Sequence, residues 1–73
     1  MGIDLVELSK VRSLAKSGTA RAIRRSAGVS AGEVAEAVGV SSSTVLRWED
    51  GERAPRGEAA LRYGAILQGL LRR

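Results

Sequence analysis

The segment from Ser30 to Gly51, SAGEVAEAVGVSSSTVLRWEDG, constrains the fold more than any other part of the chain. Ser30 followed three residues later by Glu33 has the pattern of a capping box, so a helix is expected to start near Ala31. Val34, Ala35 and Val38 lie on one stripe of that helix, and Gly39 just beyond them supplies the left-handed residue that ends it. Val40 covers the corner. Ser41 then stands at the N-cap of a second helix, Ser42 to Glu49, which Asp50-Gly51 stops. The two helices are therefore short, adjacent and joined by a tight turn.

The faces of the second helix differ in chemistry. Val45 and Trp48 point toward the first helix, and Ser42, Ser43, Leu46 and Arg47 are left outside. Trp48 reads as core rather than as a platform for stacked bases, because it shares a face with Val45. Short hydroxyl side chains at a helix N-terminus approach DNA closely, and an arginine one turn later can fork onto O6 and N7 of guanine. Ser42, Ser43 and Arg47 are thus candidate base readers. Ser41 is a cap and a candidate phosphate donor, and Leu46 a candidate for contact with a thymine methyl group or a neighbouring element.

At this point the chain resembles the Xre family of phage repressor and Cro-like DNA-binding domains. The residues that carry the resemblance are Arg24, Gly28-Val29-Ser30, Glu33-Val34-Ala35, Val38-Gly39-Val40-Ser41, Thr44-Val45, Arg47-Trp48-Glu49-Asp50-Gly51 and Pro55. They span roughly residues 20–70. The resemblance implies an all-α, lambda-repressor-like bundle of about five helices. It also implies a structural ion pair between Arg24 and Glu49, and phosphate contacts from Arg53 and Arg56 in the loop after the second helix. One departure stands out. Ala31 occupies a position where many members carry a Gln that braces a phosphate, so that clamp is weaker here or left to the backbone.

The remaining segments supply the rest of the bundle. Residues 3–17 read as an additional N-terminal helix with Leu5, Leu8, Val11, Leu14 and Ala15 on its apolar side; Asp4 and Glu7 lie in its first turn and Lys16 in its last. This helix either enlarges a small core or supplies a dimer contact. Thr19 to Ala27 reads as a second helix, capped by Thr19, closed by Gly28 and buried along Ala20, Ile23 and Ala27. After the loop Glu52 to Gly57, the segment Glu58 to Leu71 is helical, with Arg72-Arg73 at its C-terminal dipole. Gly64 and Gly69 are its candidate break points, so one long helix and two short ones are both open. Leu70 and Leu71 fit either core or dimer contact.

Composition narrows the function. The 73 residues make one domain, residues 1–73. They contain no Cys and no His, which removes disulfides, thiolate and imidazole metal sites and the commonest general base. No enzyme, cofactor or small-molecule ligand is expected, and with no signal peptide or membrane span the chain is placed in the cytoplasm. Twelve Lys and Arg against eight Asp and Glu give a formal charge of +4. Between Leu8 and Gly32 there are six cations, Lys10, Arg12, Lys16, Arg21, Arg24 and Arg25, and no acid. Such a run favours a polyanion through counterion release. The expected partner is double-stranded DNA, read by a transcriptional regulator that blocks a promoter, with a homodimer possible. The alternative is a protein-interaction module, such as an antitoxin-like partner, built on the same fold.

Overall fold

The computed structural model describes residues 4–72, which form five α-helices. The first, α1 (Leu5–Lys16), starts where the Asp4 carboxylate accepts from the amides of Val6 and Glu7 at 3.0 and 3.2 Å. Asp4 is thus the cap rather than a first-turn residue. Ile3 and Arg73, expected in the first helix and at the terminal dipole, lie outside the described residues.

α2 (Thr19–Ser26) corrects the expected cap. Gly18, at φ 89°, occupies the N-cap position, and Thr19 is the first helical residue. Only Ser17 and Gly18 separate α1 from α2, so the chain reverses too abruptly for Thr19 to remain extended. The Ser17 hydroxyl takes over part of the capping, accepting from the Thr19 amide at 3.4 Å. At the other end Gly28 N donates to Arg25 O and Val29 N to Arg24 O, which satisfies two of the last carbonyls of α2.

α3 (Ala31–Val38) carries both arms of the capping box. Glu33 N donates to Ser30 Oγ at 3.0 Å, and Ser30 N to Glu33 Oε1 at 2.8 Å. Gly39 turns the chain at φ 93°, where a side chain would be strained, and the amides of Gly39 and Val40 converge on Ala35 O at 2.8 and 3.0 Å. α4 (Ser42–Glu49) follows at once, capped by Ser41 Oγ, which accepts from Thr44 N at 3.2 Å. It ends as α2 does, with Gly51 N on Trp48 O and Glu52 N on Arg47 O.

α5 (Gly57–Arg72) is one continuous helix, so neither Gly64 nor Gly69 breaks it. The reason at Gly64 is packing: it is buried against Val11, close enough that a Cβ there would fall on Val11 Cγ2. Through this close approach α5 lies along α1, and it also packs on α2 and α3. The core gathers Val11 and Ala15 of α1, Ile23 of α2, Val34 and Val38 of α3, Val45 and Trp48 of α4, and Tyr63 and Leu67 of α5. The Trp48 and Tyr63 rings meet at 4.8 Å between centroids, tilted by 38°.

Some expected core positions lie outside it. Leu5 is 74% exposed, because it stands roughly 90° round α1 from the middle of the Leu8, Val11 and Ala15 face. Ala27 follows the last residue of α2 and is only half-buried. Leu70 packs partly against the core, whereas Leu71, in the last turn of α5, is 64% exposed.

Candidate nucleic-acid interface

The candidate site is built on α4. Its buried side carries Val45, Trp48 and Glu49, which leaves Ser42, Ser43, Leu46 and Arg47 exposed on the other side. α3 fixes this orientation, since the two helices pack closely across the Gly39 turn and no longer loop intervenes. Ser41 Oγ is 3.2 Å from Ser43 Oγ and 2.9 Å from Thr44 Oγ1, so three hydroxyls form a small cluster at the helix N-terminus. Ser42 stands outside that cluster. The Arg47 side chain makes no hydrogen bond or ion pair among the described residues, which leaves its guanidinium fully available.

The two loop arginines, Arg53 and Arg56, are exposed and likewise unpaired among the described residues. With Val40, Thr44, Trp48 and Ala59 they line a shallow groove between α4 and the start of α5. Arg47 lies roughly 60° round α4 from Thr44, on the loop side of the exposed face. The backbone ties the two parts together. Arg47 O accepts from both Glu52 N at 3.0 Å and Arg53 N at 3.3 Å, so the loop begins at a fixed angle to the exposed helix face.

Beneath α4 lies an ionic network. Arg24 Nε donates to Glu49 Oε2 at 2.6 Å, Arg24 Nη2 to Glu49 Oε1 at 2.9 Å, and Arg24 Nη1 to Val29 O at 3.1 Å. Arg21, expected only as one cation of the acid-free run, completes it by donating from Nε to Glu49 Oε1 at 2.9 Å and from Nη2 to Asp50 Oδ1 at 2.6 Å. Its signal was its spacing, one turn before Arg24 on α2, opposite two consecutive acids. Burial raises the Glu49 carboxyl, but the hydrogen bonds from Arg24 and Arg21 outweigh it and hold the group below the ordinary carboxylate range. The hydrogen bond to Asp50, and after it the one to Glu49, raises the Arg21 guanidinium above its usual value, and the bonds to Glu49 raise that of Arg24.

This network also revises the reading of the acid-free run. Arg21 and Arg24 are used internally, Lys10 lies 3.5 Å from Glu7, and Arg12 Nε donates to Pro55 O at 2.8 Å. The run therefore divides between α1 and α2 and does not form one cationic stripe. Arg62, on α5, also serves the fold: its Nε donates to Val38 O at 2.8 Å, at the end of α3. No spacing rule in the sequence marks that contact.

Among the described residues no group of His, Cys, Asp and Glu is arranged to hold a metal, and no helix is long and apolar enough to cross a membrane. A family model described as a helix-turn-helix domain matches residues 17–69. No curated protein and no solved structure matches the chain. The matched span begins where α1 ends, so Leu5–Lys16 lies outside it.

Proposed function

The chain belongs to the helix-turn-helix domain family, and from that membership we propose a sequence-specific reader of double-stranded DNA, a transcriptional regulator of the phage repressor or Cro type. α4 enters the major groove. Ser42, Ser43 and Arg47 reach base edges, Arg47 by a bidentate fork onto guanine. Ser41, Arg53 and Arg56 hold phosphates and set the register. Occupancy of an operator in the cytoplasm excludes polymerase, and no cofactor takes part.

The observation that carries this reading is the unpaired Arg47 guanidinium on an exposed helix face whose base is held by Arg24, Arg21 and Glu49. A helix already held in place pays no backbone ordering cost on docking, so more of the energy of its side-chain hydrogen bonds converts into discrimination between bases. Selection of bound duplexes from a randomised pool, with Arg47→Ala in parallel, tests it. Enrichment of one sequence that relaxes at one base pair in the variant is the expected outcome; an inverted repeat adds a homodimer. Unchanged preference in Arg47→Ala rules out this docking, and no enrichment rules out a sequence reader.

The second reading, a protein-interaction module, is favoured by the apolar side chains left exposed on α1 and α5. Leu5, Val6 and Leu71 are 74%, 68% and 64% exposed. A stoichiometric partner recovered with the chain, together with absence of selected DNA, would support it.

A further inference from the structure

A pocket separate from the exposed face of α4 opens between the C-terminal half of α1 and the loop after α4. Three cations line it: Arg12 and Lys16, one helical turn apart on α1, and Arg53 from the loop. Ala15 and Trp48, both buried, lie at its base, and Pro55 closes one side. No carboxylate lines it. Asp50, the nearest acid before Gly51, is turned away into its 2.6 Å contact with Arg21. None of the three cations has an acidic partner among the described residues, and Arg12 spends its Nε on Pro55 O, which leaves its two terminal nitrogens free.

We propose that Arg12, Lys16 and Arg53 form an oxyanion site that takes one phosphodiester group of the DNA backbone, so that α1 extends the footprint beyond the helix-turn-helix. Three like charges around one concave pocket repel one another, and a dianionic or monoanionic oxygen ligand relieves that repulsion while accepting up to three sets of donors. The Arg12 bond to Pro55 O has a second effect. It fixes the loop against α1, so the pocket and the groove lined by Arg56 keep a constant separation, with Arg53 at the wall of both. Successive phosphates of one strand are spaced regularly, and two cationic sites whose backbones are held at a fixed separation match such a ligand better than sites on unconnected segments do. Arg12 and Lys16 lie outside the matched family span and Arg53 lies within it, so the site joins α1 to the loop of the helix-turn-helix domain. The inference rests on the DNA-reading function proposed above.

Lys16 is the diagnostic residue, because it is exposed and its side chain makes no hydrogen bond among the described residues, whereas Arg12 also holds the loop. The affinity of Lys16→Gln and of the unaltered chain for the selected duplex is measured across a salt series, with thermal melting as the control for folding. The site predicts a slope of log affinity against log salt that is shallower in Lys16→Gln by up to about 0.9, the value for one whole phosphate contact, because Arg12 and Arg53 keep part of it, with sequence preference unchanged. Equal slopes in the two chains overturn it while leaving the DNA-reading function intact. If the unaltered chain binds no duplex, that function fails, and titration with inorganic phosphate, followed by NMR, decides the pocket alone. Saturable shifts at Arg12 and Arg53 that weaken or vanish in Lys16→Gln would assign it to a free phosphate; no shift would abolish it.

Discussion

Arg24 and Glu49 meet through two parallel hydrogen bonds, Nε to Oε2 at 2.6 Å and Nη2 to Oε1 at 2.9 Å, and so join α2 to the last turn of α4. Both residues are buried, at 8% and 5% exposure, in a core otherwise built of aliphatic and aromatic side chains. A pair in that position determines the angle of α4 as much as it stabilises it, since only one arrangement satisfies a forked donor and a carboxylate together.

Arg24→Ala should therefore destabilise the fold by about 3 kcal/mol, the lower end of the range for orphaning a buried charge, because Arg21 still reaches Glu49. Replacing both Arg24 and Glu49 by Leu should cost less than Arg24→Ala alone, since no buried charge then lacks its partner. Urea unfolding of the two variants and the parent measures both. A parent-like midpoint for Arg24→Ala would show that the pair is dispensable.

The same pair gives the chain an acid limit. The folded Glu49 carboxyl is held below its unfolded value of about 4.3, so its contribution is present above that pH and is lost as the pH falls through the lower folded value. Glu33 shifts in the same direction, chiefly through the hydrogen bond from the Ser30 amide. Unfolding midpoints measured from neutral pH down to about pH 2 should fall below about pH 4.5 in the parent. Glu49→Gln should remove most of that slope, and adding Glu33→Gln should flatten it further.

The helix-turn-helix was legible because its signals are local. Ser30 with Glu33, Gly39, Ser41 and Asp50-Gly51 each act on backbone groups within a few residues, and helix boundaries from α3 through α4 follow from them. Where two effects competed the sequence was a poorer guide. Thr19 favours a cap, but the two-residue link between α1 and α2 placed Gly18 there instead. Gly64 and Gly69 weaken a helix by propensity, yet α5 runs through both, with packing against Val11 occupying the space at Gly64. The long-range contacts of Arg12, Arg21 and Arg62 were least accessible: each joins residues at least 24 positions apart, and no periodicity encodes which carbonyl or carboxylate an arginine reaches. The exposure of Ser42, Ser43 and Arg47 was legible from the helical spacing of Val45 and Trp48, whereas the cationic pocket beside α1 needed the tertiary fold.

Tyr63 offers a second pH limit, at the alkaline end. Its ring is buried against Trp48, and its hydroxyl has no hydrogen-bond partner among the described residues. Burial, reinforced by the Glu49 charge, pushes the phenol up to about 12. The unfolded phenol ionises near 10, so this contribution is complete below about pH 10 and is lost as the pH rises toward the folded value. Stability should fall by roughly 2 kcal/mol over that interval. Tyr63→Phe should abolish that fall and, because it removes a buried hydroxyl without a partner, should leave neutral-pH stability equal or up to about 1 kcal/mol higher. A loss of 2 kcal/mol or more in Tyr63→Phe at neutral pH would mean that the hydroxyl is satisfied in solution.

The same substitution at two positions of α5 should have opposite effects. At Gly64 an added Cβ meets Val11 Cγ2, and because α1 and α5 pack against each other there the strain falls on both elements. Gly64→Ala is expected to cost about 1–3 kcal/mol, as overpacking of a dense core does. At Gly69 nothing lies within 4 Å of the added atom and the backbone is already helical. Gly69→Ala should therefore stabilise by about 0.5–1 kcal/mol, the difference in helix propensity between the two residues. Thermal melts of both variants decide the matter, and Val11→Ala tests its cause: by removing the side-chain atoms that the new Cβ meets, it should recover part of the loss in Gly64→Ala although it destabilises the parent. Additive losses in the Val11→Ala, Gly64→Ala double variant would place the strain elsewhere and refute the close approach of α1 and α5 as the reason for glycine at position 64.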